Sequence, residues 1–436
     1  MREKKRILIA DDEDSIRRSL ADILRDEGYI VVLARDGHET MEKLAINPPD
    51  LVFLDIWMPG MDGMEVLKEI KAEWPDVQVV IISGHGNIET AVKATKLGAY
   101  DYMEKPLSLE GVLLTARRAL QEDDIYKSEH KKMPLKEKSK DIGGTQSGMV
   151  DKKGRRDVLG SSIPQRTIKK SIVLGGQGLH SGMQTGLILS PLPPDSGIIF
   201  TELSSEEMVP AHLDYVCSTD YSTTIKSGHT SIMTIEHLMA VLHIYKITNL
   251  LIKTGSEIPI LDGSATRFCQ MIEDAGVEEQ DGLIEEITID DFYLIGDVNG
   301  RHISIGHSDN LIIQYSMDCP PPIGKQEVRF VFDSTEIFKE EIAPARTYGF
   351  VKDYGKLEAM GLAKGGRLSN LILVDDERVI NTSLRFADEF ARHKVLDTLG
   401  DLYLLGKPIK GEVYARMTGH TENITLLRKI AECVKN

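Results

Sequence analysis

The sequence predicts a multidomain protein: an N-terminal α/β doubly wound parallel-sheet domain, a charged linker, and a C-terminal α+β module of layered halves. Length is the first ground, since 436 residues correspond to about three domains at roughly 150 residues each. Periodicity is the second: residues 5 to about 122 alternate short apolar runs with helix-period segments, whereas strands and amphipathic helices alternate irregularly from 165 to 436. A composition change is the third, because from Asp124 to Gly160 the apolar periodicity stops and Lys, Gly, Ser and Asp dominate. The boundaries read this way are 1–123, 124–160, 161–280 and 281–436, the last at the polar stretch Glu278-Glu279-Gln280-Asp281-Gly282.

In the first domain the runs Ile7 to Ala10, Leu51 to Leu54 and Val79 to Ile82 are apolar without alternation, and the segment Ile16 to Leu24 carries a helical period. Such runs, each followed by a helix, indicate parallel strands covered on both faces. Working groups in such sheets sit at the carboxyl ends of the strands. Here those ends carry Asp11 and Asp12, then Asp55, then Ser83, then Lys105-Pro106. Carboxylates converging on one edge repel and call for a cation, and an oxygen-only ligand set suits Mg²⁺.

Over its full length this segment resembles the receiver domain of two-component response regulators. The resemblance implies that Asp55 accepts a phosphoryl group, and that Asp12 binds magnesium directly with Asp11 in support. It further implies that the Trp57 carbonyl completes the ligands to the ion, that Ser83 and Lys105 read the phosphoryl oxygens, and that Tyr102 is the aromatic switch. A sensor histidine kinase is the implied partner.

The linker from Asp124 to Gly160 reads as a flexible tether, with runs such as Lys131-Lys132 and Lys152-Lys153-Gly154-Arg155-Arg156. Its excess of basic residues suits peripheral contact with the anionic surface of the inner membrane. After it, the chain carries neither a Gly-x-x-x-x-Gly-Lys phosphate loop nor a basic recognition helix, which disfavours a transcription factor.

The second module has strands at Gly186 to Ser190, Leu250 to Lys253 and Leu311 to Tyr315, and amphipathic helices at Ile235 to Tyr245 and Arg392 to Leu405. On the last helix His393 and Asp397 lie one turn apart on one face, where both can grip one metal ion. Glu236-His237 upstream and Gly419-His420 downstream offer further ligands, so a zinc site with three protein ligands and an open position can be assembled.

Six motifs in order then resemble the zinc-dependent UDP-3-O-acyl-N-acetylglucosamine deacetylases, which carry out the committed step of lipid A synthesis. They are Gly178-Leu179-His180-Ser181-Gly182, Thr234-Ile235-Glu236-His237-Leu238, Glu257 to Ser264, Ile342 to Phe350, the helix from His393 to Gly406, and Gly419-His420. The resemblance implies two β-α-α-β-type layers with the active site between them. It implies zinc on His237, His393 and Asp397, Glu236 as general base, and His420 as general acid oriented by Asp401. Thr347 and Lys394 are implied to stabilise the oxyanion, with Tyr348 stacking on the sugar of a UDP-linked acylated glucosamine. Leu357, Met360 and Leu362, amid Gly361, Gly365 and Gly366, are the expected apolar lining for the acyl chain. Two departures stand out: Tyr348 replaces the family's usual Phe, and Glu422 stands where an apolar residue is common and is expected to favour protonated His420. His180, His212, His229 and His243 are read as packing or surface residues.

Composition bounds the rest. A net charge of −16 argues against nucleic acid as a partner of the whole chain. Cys217, Cys269, Cys319 and Cys433 lack zinc-knuckle spacing and are too few for a disulfide framework, which fits a reducing compartment. With no 20-residue apolar run and a charged start leading into a strand, the expected location is the cytoplasm. The alternative function is a phospho-regulated sensor whose second module binds the nucleotide lipid without catalysis.

Overall fold

The computed structural model describes residues 4–84, 88–120 and 162–434. These fall into two compact units on either side of residue 160. The linker expected at 124–160 lies outside the described residues.

In the first unit the elements run β1 (Arg6–Ala10), α1 (Asp14–Asp26), β2 (Ile30–Ala34), α2 (Gly37–Ile46), β3 (Leu51–Asp55), α3 (Gly63–Glu73), β4 (Gln78–Ser83), α4 (Ile88–Lys96), β5 (Asp101–Glu104) and α5 (Leu109–Ala119). The sheet is parallel throughout, in the order β2-β1-β3-β4-β5. The three central strands are the continuous apolar runs of the sequence, buried almost end to end because helices cover both faces. Each helix turns its apolar stripe inward, as with Leu20, Ala21 and Leu24 of α1. Asp62 opens α3 with a capping box to Glu65. Gly63 follows, where a Cβ would overlap the carbonyl oxygen of Asp55, so α3 begins directly against the end of β3.

The second unit opens with β6 (Ser162–Ile168), β7 (Ile172–Gln177), β8 (Gln184–Pro191), β9 (Ile198–Glu202), β10 (Val209–Pro210), β11 (Val216–Ser218), β12 (Thr224–Ser227), β13 (Thr230–Ile232), α6 (Glu236–Ile244), β14 (Leu250–Thr254) and α7 (Thr266–Ala275). It continues with β15 (Val277–Glu285), β16 (Ile287–Thr288), β17 (Tyr293–Gly296), β18 (His302–Gly306), β19 (Leu311–Asp318), β20 (Lys325–Val331), α8 (Thr335–Glu341), β21 (Tyr348–Phe350), α9 (Tyr354–Ala359), β22 (Ile372–Val374), α10 (Glu389–Leu402), β23 (Ile409–Arg416) and α11 (His420–Val434). Two mixed sheets result, β10-β9-β14-β8-β7 from the first half and β17-β18-β23-β19-β20 from the second. Helix α7 packs on the first sheet's β7, α10 on β19 and β20, and α11 on β17 and β18.

Helices α6 and α10 pack against each other, and one apolar core runs from both sheets through them. Every residue of α6 is buried, and α10 exposes little beyond Arg392 and Lys394, as helices enclosed between two layers must. Their approach is close: a Cβ on Gly400 would overlap the carbonyl oxygen of Glu236. The polar stretch Glu278 to Gly282, read as a divider, is part of strand β15, which pairs antiparallel with β6 in a two-stranded ribbon. Its alternation of exposed and half-buried residues accounts for the polar composition.

Candidate functional site

Helix α10 supplies the first half of the site in the second unit. His393 and Asp397 lie one turn apart, with Asp401 a turn further, and all three are buried. The start of α10 is anchored by Glu389, fully buried, which accepts from Arg346 at 2.8 Å (Nε) and 3.1 Å (Nη2). That ion pair brings the Ala345 carbonyl to His393 Nδ1 at 3.2 Å. A donating Nδ1–H there leaves Nε2 free for a metal, as ligating histidines require.

His237, the second residue of α6, meets this face. Its Nε2 is 3.6 Å from Asp397 Oδ1, and His393 Nε2 is 3.4 Å from the same oxygen, the two imidazoles standing edge to face. Ligand atoms on a tetrahedral zinc with bonds of about 2.0–2.1 Å are separated by roughly 3.3 Å, so this triad fits zinc as it stands. The three ligand atoms lie within 4.8 Å of one another. Electrostatics agree. Burial pushes His393 down to about 3, keeping it a neutral ligand. Burial would raise Asp397, but the Lys394 ammonium, helped by a hydrogen bond from His237, holds it well below the ordinary carboxylate range.

Beside the triad stands an acid/base pair. Glu236, at the first turn of α6, is buried and pushed up by that burial. One of its oxygens accepts from the Thr223 N–H at 3.1 Å, and the other lies 3.9 Å from His420 Nε2. Burial would lower His420, but the charge and hydrogen bond of Asp401 at 2.8 Å, helped by Glu236 and Asp397, raise it to about 9. Asp401 is itself held by the Thr223 hydroxyl at 2.6 Å and by Asn423 Nδ2 at 2.8 Å. Thr223 therefore bridges base and acid, joining its N–H to one and its hydroxyl to the partner of the other.

Lys394 donates to Asp397 Oδ2 at 2.9 Å; burial would lower its ammonium, but the Asp397 charge holds it above the ordinary range. Tyr348 packs edge-on against Phe390 and His393. With Thr347 and the triad, these two residues line a cavity of about 270 Å³. Glu257 ties the supporting loops together, accepting from the backbone of His180 and Ser181, both at 2.8 Å, and from the Thr234 hydroxyl at 3.0 Å.

Not every expectation converges on the cavity. Leu357 and Leu362 are half-buried and Met360 is 50% exposed, on or just after α9 and outside the cavity lining. Helix α9 reaches the rim instead through Lys356, whose ammonium sits over the ring of cavity-lining Tyr221. His180, assigned no role, is buried and lines the cavity, as do Tyr221 and Arg301. The carboxylate of Glu422 is engaged by Arg301 and by the Gly419 N–H, while Asp401, Glu236 and Asp397 are the carboxylates that raise His420. Thr223 and Arg301 carried no sequence signal, whereas Asn423, three residues after His420 on one helix, could have been found by spacing.

In the first unit the strand ends meet as expected. Asp11 and Asp55 are buried, and the Lys105 ammonium lies 2.9 Å from Asp11 and 3.2 Å from Asp55. Burial, then the neighbouring Asp11 charge, raises Asp55 to about 6. Tyr102 and Ser83 are buried side by side and joined by a hydrogen bond. The Trp57 N–H donates to Asp55 at 3.1 Å while its side chain is exposed. Asp11, Asp12 and Glu13 offer carboxylate oxygens within 4.8 Å of one another, so Glu13 stands in the acidic group where the sequence placed Asp55 beside Asp11 and Asp12. An acidic oxygen set of this kind fits a divalent cation.

Comparison with known proteins matches residues 165–432 to the family model of UDP-3-O-acyl N-acetylglycosamine deacetylase and residues 7–117 to that of the response regulator receiver domain. Among relatives, the UDP-3-O-acyl-N-acetylglucosamine deacetylase of Myxococcus xanthus is 40% identical over 274 residues, covering 62% of this chain and 87% of that protein. The enzyme of the same name from Nautilia profundicola is 40% identical over 270 residues, covering 62% and 92%. A crystal structure of the receiver domain of NtrX from Brucella abortus shares 49% identity, covering 26% of this chain and 98% of that one, with a TM-score of 0.26.

Proposed function

Because the chain belongs to the UDP-3-O-acyl-N-acetylglucosamine deacetylase family, with a response-regulator receiver domain fused ahead of the enzyme, we propose how its own residues carry out zinc-dependent removal of acetate from a UDP-linked, 3-O-acylated glucosamine. The observation that carries this reading is the convergence of His237, His393 and Asp397 beside the Glu236–His420 pair. Zinc held by that triad supplies a Lewis acid that lowers the pKa of water and polarises the acetamide carbonyl.

Glu236 takes the proton of the attacking water. Its raised pKa moves it toward the working range of a general base. Lys394 and Thr347, at the cavity wall, donate to the oxygen that becomes negative. His420, protonated at neutral pH, gives its Nε2 proton to the departing amine while Asp401 holds Nδ1. Tyr348, braced by Phe390, presents its ring to the sugar. The acyl chain, on this reading, leaves the cavity past Tyr221 for the surface carrying Leu357, Met360 and Leu362, which lie outside the cavity lining on or just after α9, the helix whose Lys356 sits over Tyr221 at the rim. The two halves expected at 161–280 and 281–436 both contribute to this site, with β15 running across the boundary between them.

Finer readings accompany this one. A sensor histidine kinase phosphorylates Asp55, with Asp12, Asp11 and the Trp57 carbonyl holding Mg²⁺, and Ser83, Tyr102 and Lys105 reading the phosphoryl group. The acyl substrate draws the protein to the inner-membrane surface from the cytoplasm. Among the described residues, no helix is long and apolar enough to cross a membrane.

Acetate release from the nucleotide substrate by full-length protein tests the activity, and a chelator should abolish it reversibly. The same assay with a small-molecule phosphodonor tests coupling. A typical allosteric free energy of about 1–3 kcal/mol would change substrate affinity roughly 5- to 150-fold, absent in Asp55→Ala. Identical rate constants in both proteins, with and without donor, would reject regulation through Asp55.

The pH profile tests the acid. Because His420 must be protonated, activity falls as pH rises through its pKa. Asp401→Asn removes the charge that raises it, so the alkaline limb should move down from about 9 toward the ordinary imidazole value of about 6.5. Zinc content should stay unchanged. An unmoved limb would exclude His420 as the acid.

A further inference from the structure

The cavity rim carries an ion pair that the catalytic steps leave unused. Arg301 follows the Asp297–Gly300 turn before β18, and Glu422 is the third residue of α11, whose first is His420. Their contact is two-pronged, with Arg301 Nε 2.7 Å from Oε1 and Nη2 2.8 Å from Oε2. Glu422 is the anchored partner: its side chain is 19% exposed against 58% for Arg301, and it also accepts from the Gly419 N–H at 3.0 Å. That last bond is the N3 half of a capping box, which locks the carboxylate to the helix end carrying His420. Both residues line the cavity. Arg301 Nη1 makes no bond among the described residues, whereas the cavity's lysine, Lys394, rests on Asp397 and serves the developing oxyanion.

On the deacetylase reading, the substrate brings an anion to this place. The anomeric diphosphate and the acetamide occupy adjacent carbons of the glucosamine ring, so an acetamide at the zinc triad puts the diphosphate beside it. We propose that Glu422 is a positioning residue for this nucleotide substrate. It clamps one edge of the Arg301 guanidinium, so that the remaining Nη1–H groups meet the diphosphate without the entropic cost of ordering a long exposed side chain. A planar fork held on one edge is preorganised for phosphate on the other. The clamp also ties the register of the diphosphate to the helix that presents the general acid.

The test is steady-state kinetics on full-length, zinc-loaded protein, with calorimetry of UDP alone. Glu422→Ala should raise KM and weaken UDP about two- to fivefold, the scale of an exposed ion pair, with the effect falling on KM rather than kcat. Glu422→Gln, which can still accept from Gly419 and Arg301, should recover most of the loss. Arg301→Ala should weaken UDP at least as much, and adding Glu422→Ala to it should cost nothing further. The alkaline limb of the pH profile should not move, since a shift would mean that Glu422 acts through His420. Unchanged or tighter UDP binding in Glu422→Ala overturns the proposal, and so does additivity with Arg301→Ala. If wild type releases acetate but UDP affinity ignores Glu422, the clamp fails alone. If UDP binding follows Glu422 but no acetate is released, the deacetylase reading fails and the clamp stands.

Discussion

Alanine at His237, His393 or Asp397 is expected to remove zinc and turnover together. Each supplies one of the three protein ligands of a buried site, and the nearby carboxylates are engaged elsewhere, Glu236 and Asp401 each with Thr223. Loss of a group that merely orients a ligand typically costs about 10- to 100-fold in metal affinity, so loss of the ligand itself should cost more. Asp397→Ala should be the most disruptive of the three. It also strips the Lys394 ammonium of the carboxylate on which it rests at 2.9 Å, leaving a half-buried cation without its partner. Metal analysis after dialysis, alongside acetate release and a melting curve, separates these effects. Full zinc occupancy in all three variants would sink the assignment.

Glu236→Ala should behave differently, keeping zinc and substrate binding while losing roughly 10²–10⁴ in turnover, the usual scale for a general base. The distinction rests on geometry. Glu236 is adjacent to a ligand in sequence, yet its carboxylate faces Thr223 and His420 rather than the triad's shared oxygen. The acidic limb of the pH profile should follow its deprotonation, at a pH above the ordinary glutamate range because burial raises its pKa. Glu236→Gln, which preserves volume and the bond from Thr223, should lose a similar factor. Near-wild-type turnover in the Gln variant would show that the carboxylate takes no proton.

The strand-end chemistry of the first unit was legible because a parallel sheet leaves no choice: residues following apolar runs arrive on one edge, and Asp11, Asp55, Ser83 and Lys105 do so. The pair His393 and Asp397 was legible for the same kind of reason, one helical turn being a local quantity. Glu13 was passed over because membership of a cation cluster depends on the path of the loop after β1, which no periodicity encodes. The acyl-lining residues illustrate the opposite limit. Apolar residues among glycines announce a surface, but not which cavity that surface meets, and Leu357, Met360 and Leu362 stand apart from the zinc-site lining.

The sequence by itself determined the two kinds of fold and the local ligand and strand-end spacings, because these depend on side-chain period and on neighbours a few residues apart. Only the tertiary structure decided which distant groups share a proton or a charge. The bridge made by Thr223 between Glu236 and Asp401 spans 178 residues on one side, and the Arg301–Glu422 clamp spans 121. Such contacts depend on how closely α6 and α10 approach at Gly400 and on where α11 begins against the second sheet. The physical reason is that hydrogen bonds and ion pairs act over a few ångströms, whereas the packing that creates those separations sums over the whole core.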